Sequence, residues 1–307
     1  MNTFIKAKIS IVLIIFSSAF LYAQDRPKYN MYNLYQPIIN PAAMGSYDSF
    51  TATGLFNTQM TGFAGAPVSF LFDATAPIAN TNAIIGGQIL HDRIGARNRT
   101  QLSASFAYRI PIDLRNYFCL GMTATIQLID ANFMSLVQDP SDPITTTQSY
   151  QLWSPDFRLG AYYFRDNFYA GFSVANLFTI DYTDPTVRVN SKDMHFNFHA
   201  GYDFKINDHL RIQTSILWKQ VLNSATQFDI NAQLKYNKVF GIGLSYRTLN
   251  TLVFQTNAKI LKRFTIGYSF NLGMGFSNRT EYTGHELILI YQVVNSKKKI
   301  AIQTPHY

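Results

Sequence analysis

The chain is short of charge, glutamate, tryptophan and cysteine, and beyond its first residues it has no long apolar run. Asp, Glu, Lys and Arg make up 14% of its 307 residues, against about 25% in an ordinary globular domain. Cys119 is the only cysteine, so no internal disulfide can form, and on an apolar strand it reads as a small hydrophobe. Glu281 and Glu286 are the only glutamates, which argues against a paired-glutamate hydrolase. After residue 24 no apolar stretch reaches about 18 residues, which excludes a membrane helix. A membrane location would therefore require a closed β-barrel, the other structure that satisfies its own backbone polar groups.

What is present fits that requirement. The sequence is 47% hydrophobic yet has a mean hydropathy of -0.03, so apolar residues are interleaved rather than gathered into blocks. Abundant Phe (25) and Tyr (19) suit a lipid-facing wall with aromatic girdles. They also suit an aromatic-rich secreted β-protein, and composition leaves both open. The net charge of +8 is spread over many turns, without the basic stripe that nucleic-acid binding uses. The run Lys297, Lys298, Lys299 reads as a solvated tail.

The first residues, MNTFIKAKISIVLIIFSSAFLYAQ, carry a basic start at Lys6 and Lys8, an apolar stretch from Ile9 to Phe20, and Ala23 before Gln24. This is the pattern of a cleaved secretory signal peptide, with Leu21 departing from the small residue usual at its position. The expected divisions are a signal peptide over 1–23, an N-terminal periplasmic segment over 24–48, a barrel over 49–294 and a periplasmic tail over 295–307.

Alternation then dominates. In "DMHFNFHAGYDFKI", Met194, Phe196, Phe198, Ala200, Tyr202, Phe204 and Ile206 are separated by His195, Asn197, His199, Gly201, Asp203 and Lys205. A period of two means a strand with one apolar and one polar face. About fourteen segments of roughly ten residues follow this rule, the length a tilted strand needs to cross a bilayer. Short turns at Ala79–Asn82, Pro111–Asn116, Arg165–Asn167, Asn207–Asp208, Asn237–Lys238 and Lys262–Arg263 are interleaved with other connections. Most of those are long: Thr61–Ala66, Asp92–Arg99, Ala131–Pro155, Leu177–Lys192 and Gly273–His285. That asymmetry, with an even strand count, predicts an all-β transmembrane antiparallel outer-membrane barrel with both ends on the short-turn, periplasmic side. Its polar faces would line a lumen, with Arg109, His195, His199, Asp203, Arg211, Asp229 and Lys235 among the lining residues.

Signals for catalysis are lacking. His195 and His199 share a face but stand roughly 13 Å apart at about 3.3 Å per strand residue, too far to share a metal. "DPSDPITTT" offers Asp139 and Asp142 as loose calcium ligands, but Pro-set turns on a surface loop explain it better. No phosphate-cradling Gly loop and no CxxC occurs, and no Ser/His or Asp/His cluster marks a lipid-modifying barrel enzyme. The expectation is a non-enzyme without metal or cofactor.

The stretch "YNMYNLYQPIINPAAMGS" (Tyr29–Ser46) resembles the opening of the PorP/SprF family of type IX secretion membrane proteins of Bacteroidetes-type bacteria. "GFAGAPVSFLFDATAPI", "IIGGQILHDRIG", "SFAYRIPI", "PDFRLGAYYFRDNFYAGFSVANL" and "GHELILIY" extend the likeness in order along the mature chain. Thr58-Gln59-Met60 departs from it, since the family commonly has Gln-Trp there.

The resemblance implies an outer-membrane partner that delivers or anchors a secreted adhesin-like cargo at the cell surface, with links to gliding motility. The partners it implies are the C-terminal domain of that cargo, other type IX components and outer-membrane lipid. Asn40, Pro41, Gly45, Gly65, Pro67 and Gly95 would be structural, and outer-loop residues Asp92, Arg93, Arg97, Arg99, Asp139, Asp142, Tyr150 and Trp153 would contact cargo. The competing reading is a channel for hydrophobic or small polar solutes.

Overall fold

In the computed structural model, residues 28–132, 149–180, 187–188, 194–221, 226–248, 250–274 and 283–293 are described. The expected signal peptide and the expected C-terminal tail, with Asp139 and Asp142, lie outside these residues. The strands are β1 (Thr51–Gln59), β2 (Val68–Pro77), β3 (Ala83–Ile94), β4 (Arg97–Pro111), β5 (Tyr117–Ala131), β6 (Tyr150–Arg165), β7 (Phe168–Ala175), β8 (Thr179–Ile180) and β9 (Val187–Arg188). They continue as β10 (His195–Lys205), β11 (Leu210–Val221), β12 (Gln227–Tyr236), β13 (Phe240–Arg247), β14 (Thr251–Ile260), β15 (Phe264–Gly273) and β16 (Gly284–Gln292).

Each strand except β8 and β9 pairs antiparallel with its chain neighbours, β7 with β10, and the sheet closes when β1 pairs with β16 from Thr51↔Gln292 to Gln59↔Gly284. The result is a fourteen-stranded barrel with no open edge. Strands β8 and β9 form a separate two-stranded ribbon.

Parity decides which face each residue shows. On β12, Gln227, Asp229, Asn231, Gln233 and Lys235 are buried while Phe228, Ile230, Leu234 and Tyr236 are exposed. Every barrel strand exposes large apolar side chains on its outer face, such as Phe72 on β2, Leu102 on β4 and Leu244 on β13. A continuous apolar surface of this extent would drive association in water, whereas hydrocarbon solvates it.

The short turns have residues suited to them. Asn237 and Lys238 both take left-handed φ values of 50° and 56°, as a two-residue hairpin turn of matching twist requires. In the last such turn the left-handed pair is Leu261 and Lys262, one residue before the expected Lys262–Arg263. Asp113 Oδ1 accepts the backbone N–H groups of Arg115 and Asn116, closing the turn after β4.

Two expectations need correction. The stretch 92–99 is not a long loop. β3 runs to Ile94 and β4 starts at Arg97, and Gly95 at φ 58° makes a tight turn, so Asp92 and Arg99 stand opposite each other within the sheet. The segment 28–48, expected to be periplasmic, lies inside the barrel: nearly all of it is buried, and two 3-10 turns, Gln36–Ile38 and Pro41–Ser46, fold it against the inner wall. A polar lumen alone would not hold it. Inward-facing Leu55, Leu71, Leu90, Leu217, Ile288 and Ile290 form one apolar cluster with Met31, Tyr32, Leu34, Tyr35, Ile38 and Ile39. This is a small hydrophobic core inside the barrel, and the lumen is plugged by the chain's own N-terminal segment.

Candidate functional site

The plug descends from the long-loop end of the barrel to the short-turn end, and a buried polar group fixes each stage. At the top, the Glu286 carboxylate on β16 is fully buried and accepts the backbone N–H of Asn30 (2.9 Å) and of Met31 (2.7 Å) and the Asn57 amide (2.6 Å). Beside it, Arg247 on β13 donates from Nε and Nη2 to the buried Asp229 carboxylate at 3.0–3.1 Å, and from Nη2 to the Tyr29 carbonyl at 3.2 Å. Charge-assisted bonds of this kind are roughly twice as strong as neutral ones.

Lower down, the fully buried Tyr32 and Tyr35 hydroxyls meet the wall. Tyr35 donates to Asp73 on β2, and Tyr32 accepts from the Asn231 amide at 2.5 Å. Arg158 and Ser173 donate to the carbonyls of Ile38 (2.9 Å) and Ile39 (2.7 Å).

At the first turn of Pro41–Ser46, Asn40 is the N-cap, and its Oδ1 accepts from Ala42 N–H at 3.0 Å. Its Nδ2 donates to the carbonyls of Ala161 and Phe172 and lies 3.1 Å from His199 Nε2, which places a proton-free nitrogen there. The His199 ring sits between Tyr162 and Tyr169, with centroids at 5.6 and 5.7 Å. Pro41 fills the first helical position. At the bottom, Arg109 donates to the carbonyls of Gly45 and Tyr47 and to the Asp48 carboxylate at 2.5–3.0 Å.

Glycine permits this close fit. The wall positions Gly121 and Gly160 face inward, and a Cβ there would fall on the backbone of Ala42 or on the Asn40 amide. Gly45 in turn leaves room for the buried Cys119 thiol. At the outer rim, Gly65 and Gly95 take φ values of 76° and 58°, the Gly95 N–H donates to the Gly65 carbonyl at 2.8 Å, and the Pro67 carbonyl accepts from Gln59.

Of the residues expected to line the lumen, Arg109, His195, His199, Asp203, Arg211, Asp229 and Lys235 occupy inward parity on β4, β10, β11 and β12. Arg211 pairs with Asp203 at 3.1 Å. The residues expected to meet cargo scatter. Asp92 and Arg99 are buried inside, with Asp92 accepting from Ser69 at 2.6 Å. Trp153 belongs to β6 and is 62% exposed on its outer, lipid-side face. Tyr150 begins β6, while Arg93 and Arg97 flank the Gly95 turn at the rim.

Sequence reasoning missed the plug's anchors Glu286 and Arg247, and also Arg158, which stands by the inward-facing Lys219. These last two, with Lys28 and Arg99, surround a cavity of about 70 Å3 in the long-loop half, above the plug residues Ile38 and Ile39.

A closed antiparallel barrel with a lipid-facing exterior and a self-plugged interior is an outer-membrane β-barrel protein. Its residues 21–291 match the family model described as type IX secretion system membrane protein PorP/SprF, and the chain belongs to that family. It is a type IX secretion protein of the outer membrane.

Solved barrels share the architecture at low identity. The toluene transporter TbuX of Ralstonia pickettii is 12% identical at TM-score 0.52, covering 83% of this chain and 92% of that one. The P. putida toluene transporter TodX is 12% identical at TM-score 0.51, covering 89% and 95%. The monoaromatic hydrocarbon channel CymD is 10% identical at TM-score 0.51, covering 85% and 93%. At these identities the likeness concerns the fold alone. No curated protein matches the chain significantly.

Proposed function

We propose that the barrel is a surface docking partner of type IX secretion, which receives the C-terminal domain of a secreted adhesin-like cargo at its long-loop end and holds or helps deliver it there, in support of gliding motility. One observation carries the reading: the lumen is filled by a segment tied to the wall by Glu286, Arg247, Asn40 and Arg109. A wall sealed to solutes leaves its outer rim and connecting loops as the working surface, and such loops carry function on a rigid scaffold. The connections 132–149, 176–194 and 274–283 are the long ones at that end, with Arg93 and Arg97 beside them. The barrel itself sits in outer-membrane lipid after signal-peptide removal.

The test is affinity purification of the tagged chain from detergent-solubilised outer membranes, with and without deletion of residues 133–148. The expected result is a secreted type IX cargo that co-purifies with the intact chain and is depleted several-fold by the deletion. A folded intact barrel that brings down no such cargo would overturn the reading.

A further inference from the structure

We infer that the short-turn mouth of the barrel, on its β10–β15 side, is a docking surface for an acidic polypeptide segment. Outer-membrane barrels keep their short turns on the periplasmic side, so this surface is separate from the outer rim and stands whether or not cargo docks there. Lys205 lies opposite Arg211, and Arg211 opposite Lys235, so three cations stand side by side on β10, β11 and β12. Like charges directly opposite one another destabilise a sheet. Lys259 on β14 has the same inward parity, and its N–H donates to the Val239 carbonyl, which sets it at the same level. In the turn between β12 and β13, burial and then the Arg211 guanidinium hold the Lys238 ammonium below its ordinary range, with Lys205 and Lys259 adding to the effect and Asp203 opposing it. Lys262 and Arg263 follow in the turn after β14.

Among the described residues at this end, two carboxylates serve these cations. Asp203 pairs with Arg211 at 3.1 Å and also acts on Lys235 and Lys238, and Asp208 pairs with Lys205 at 2.5 Å. Hydrogen bonds to neutral neighbours spread the remaining positive charge without cancelling it. The other half of the mouth is balanced: Arg109 pairs with Asp48, Arg115 with Asp166, and Arg165 acts on Asp113. That is also the half where the lower turn of the plug packs, against β3–β7. Positive charge gathered on one side attracts and orients a partner of opposite sign. Parity decides between polypeptide and lipid. The outward residues at this end include Phe204, Leu234, Tyr236, Phe240 and Ile260, whereas the four strand cations have inward parity. An acidic segment entering the mouth meets them, and a headgroup in the surrounding leaflet does not.

The experiment places the full chain in phosphatidylcholine nanodiscs, which leave both mouths in solvent, and titrates it with fluorescein-labelled hexaglutamate and hexaglutamine. Anisotropy is read at low ionic strength, where such charges act over the longest range. The expected result is that hexaglutamate binds tenfold or more tightly than hexaglutamine. Lys205→Gln, Lys238→Gln and Lys259→Gln combined should weaken it at least tenfold, and Arg115→Gln with Arg165→Gln less than twofold. Barrel integrity is checked by heat-modifiable gel mobility. Should the triple variant not assemble, Lys205→Gln alone, at the exposed end of β10, should still weaken binding about threefold. Native protein that does not prefer hexaglutamate, or a folded triple variant that binds it as the native protein does, would overturn the inference. So would native mass spectrometry in which the chain retains phosphatidylglycerol in preference to hexaglutamate and the triple variant loses it, since the patch would then belong to lipid.

Discussion

The wall and the plug are held together by opposite means. The wall is a ladder of equivalent backbone hydrogen bonds closed on itself, in which no single side chain is indispensable. The plug has only two 3-10 turns of regular structure and depends on a few charged and amide groups, the buried Glu286, Arg247 and Asn40 and the part-buried Arg109. Single inward substitutions should therefore free the plug and leave the wall standing, while outward ones should do the reverse.

The largest effect is expected at Arg247. Arg247→Met leaves the Asp229 carboxylate buried without its cation and removes a bond to the plug, a loss of about 3–5 kcal/mol. The expected outcome is a barrel that still shows heat-modifiable mobility but conducts steadily in planar bilayers. A silent, still plugged Arg247→Met barrel would break the comparison. On the other side of the wall, Phe72→Arg at mid-strand puts a charge into hydrocarbon at a cost of about 2–4 kcal/mol. It should lower the yield of assembled barrel, and the barrels that do assemble should stay non-conducting.

These contrasts also explain what could be read in advance. The wall was legible because period two reports directly on sheet parity, and a stretch such as Gln227–Tyr236 obeys it without exception. The plug was not, because Tyr29–Ser46 follows no period and its apolar residues have no partner until the strands close. The signs were on the wall: Ile288 and Ile290 face inward from β16, where a water-filled lumen would call for polar groups, and inward glycines recur at 121, 160 and 171. The turn at Gly95 was overestimated because Asp92, Arg93, Arg97 and Arg99 read as solvent loop. Asp92 and Arg99 instead have parity that turns them into the lumen.

Glycine offers a finer comparison. Gly121→Ala drives a methyl group into the Ala42 backbone, an overpacking of about 1–3 kcal/mol. Gly87→Ala, whose Cβ meets nothing closer than 3.9 Å, should be silent. Hydrogen exchange of the plug amides should separate the two, with faster exchange at Ala42 and Ala43 in the first variant alone. Equal exchange in both would mean that the wall does not gauge the plug.

The smallest effect is expected outside both regions, in the turn at Asp113. The N–H of Arg115, with the Asn116 amide, holds this exposed carboxyl below the usual carboxylate range. A depressed folded value means that its contribution is complete above the unfolded value, about 3.9, and is lost as pH falls through the folded one. Acidification below that range should raise exchange at the amides of Arg115 and Asn116 without loosening Asn30 or Met31, which are held by Glu286 from inside the barrel. Asp113→Asn keeps an acceptor and removes the charge, so its turn should exchange at a rate insensitive to pH beyond the intrinsic chemical dependence. If the plug amides loosened together with the turn in this experiment, wall and plug would share one cooperative unit, and the separation between them would have to be abandoned.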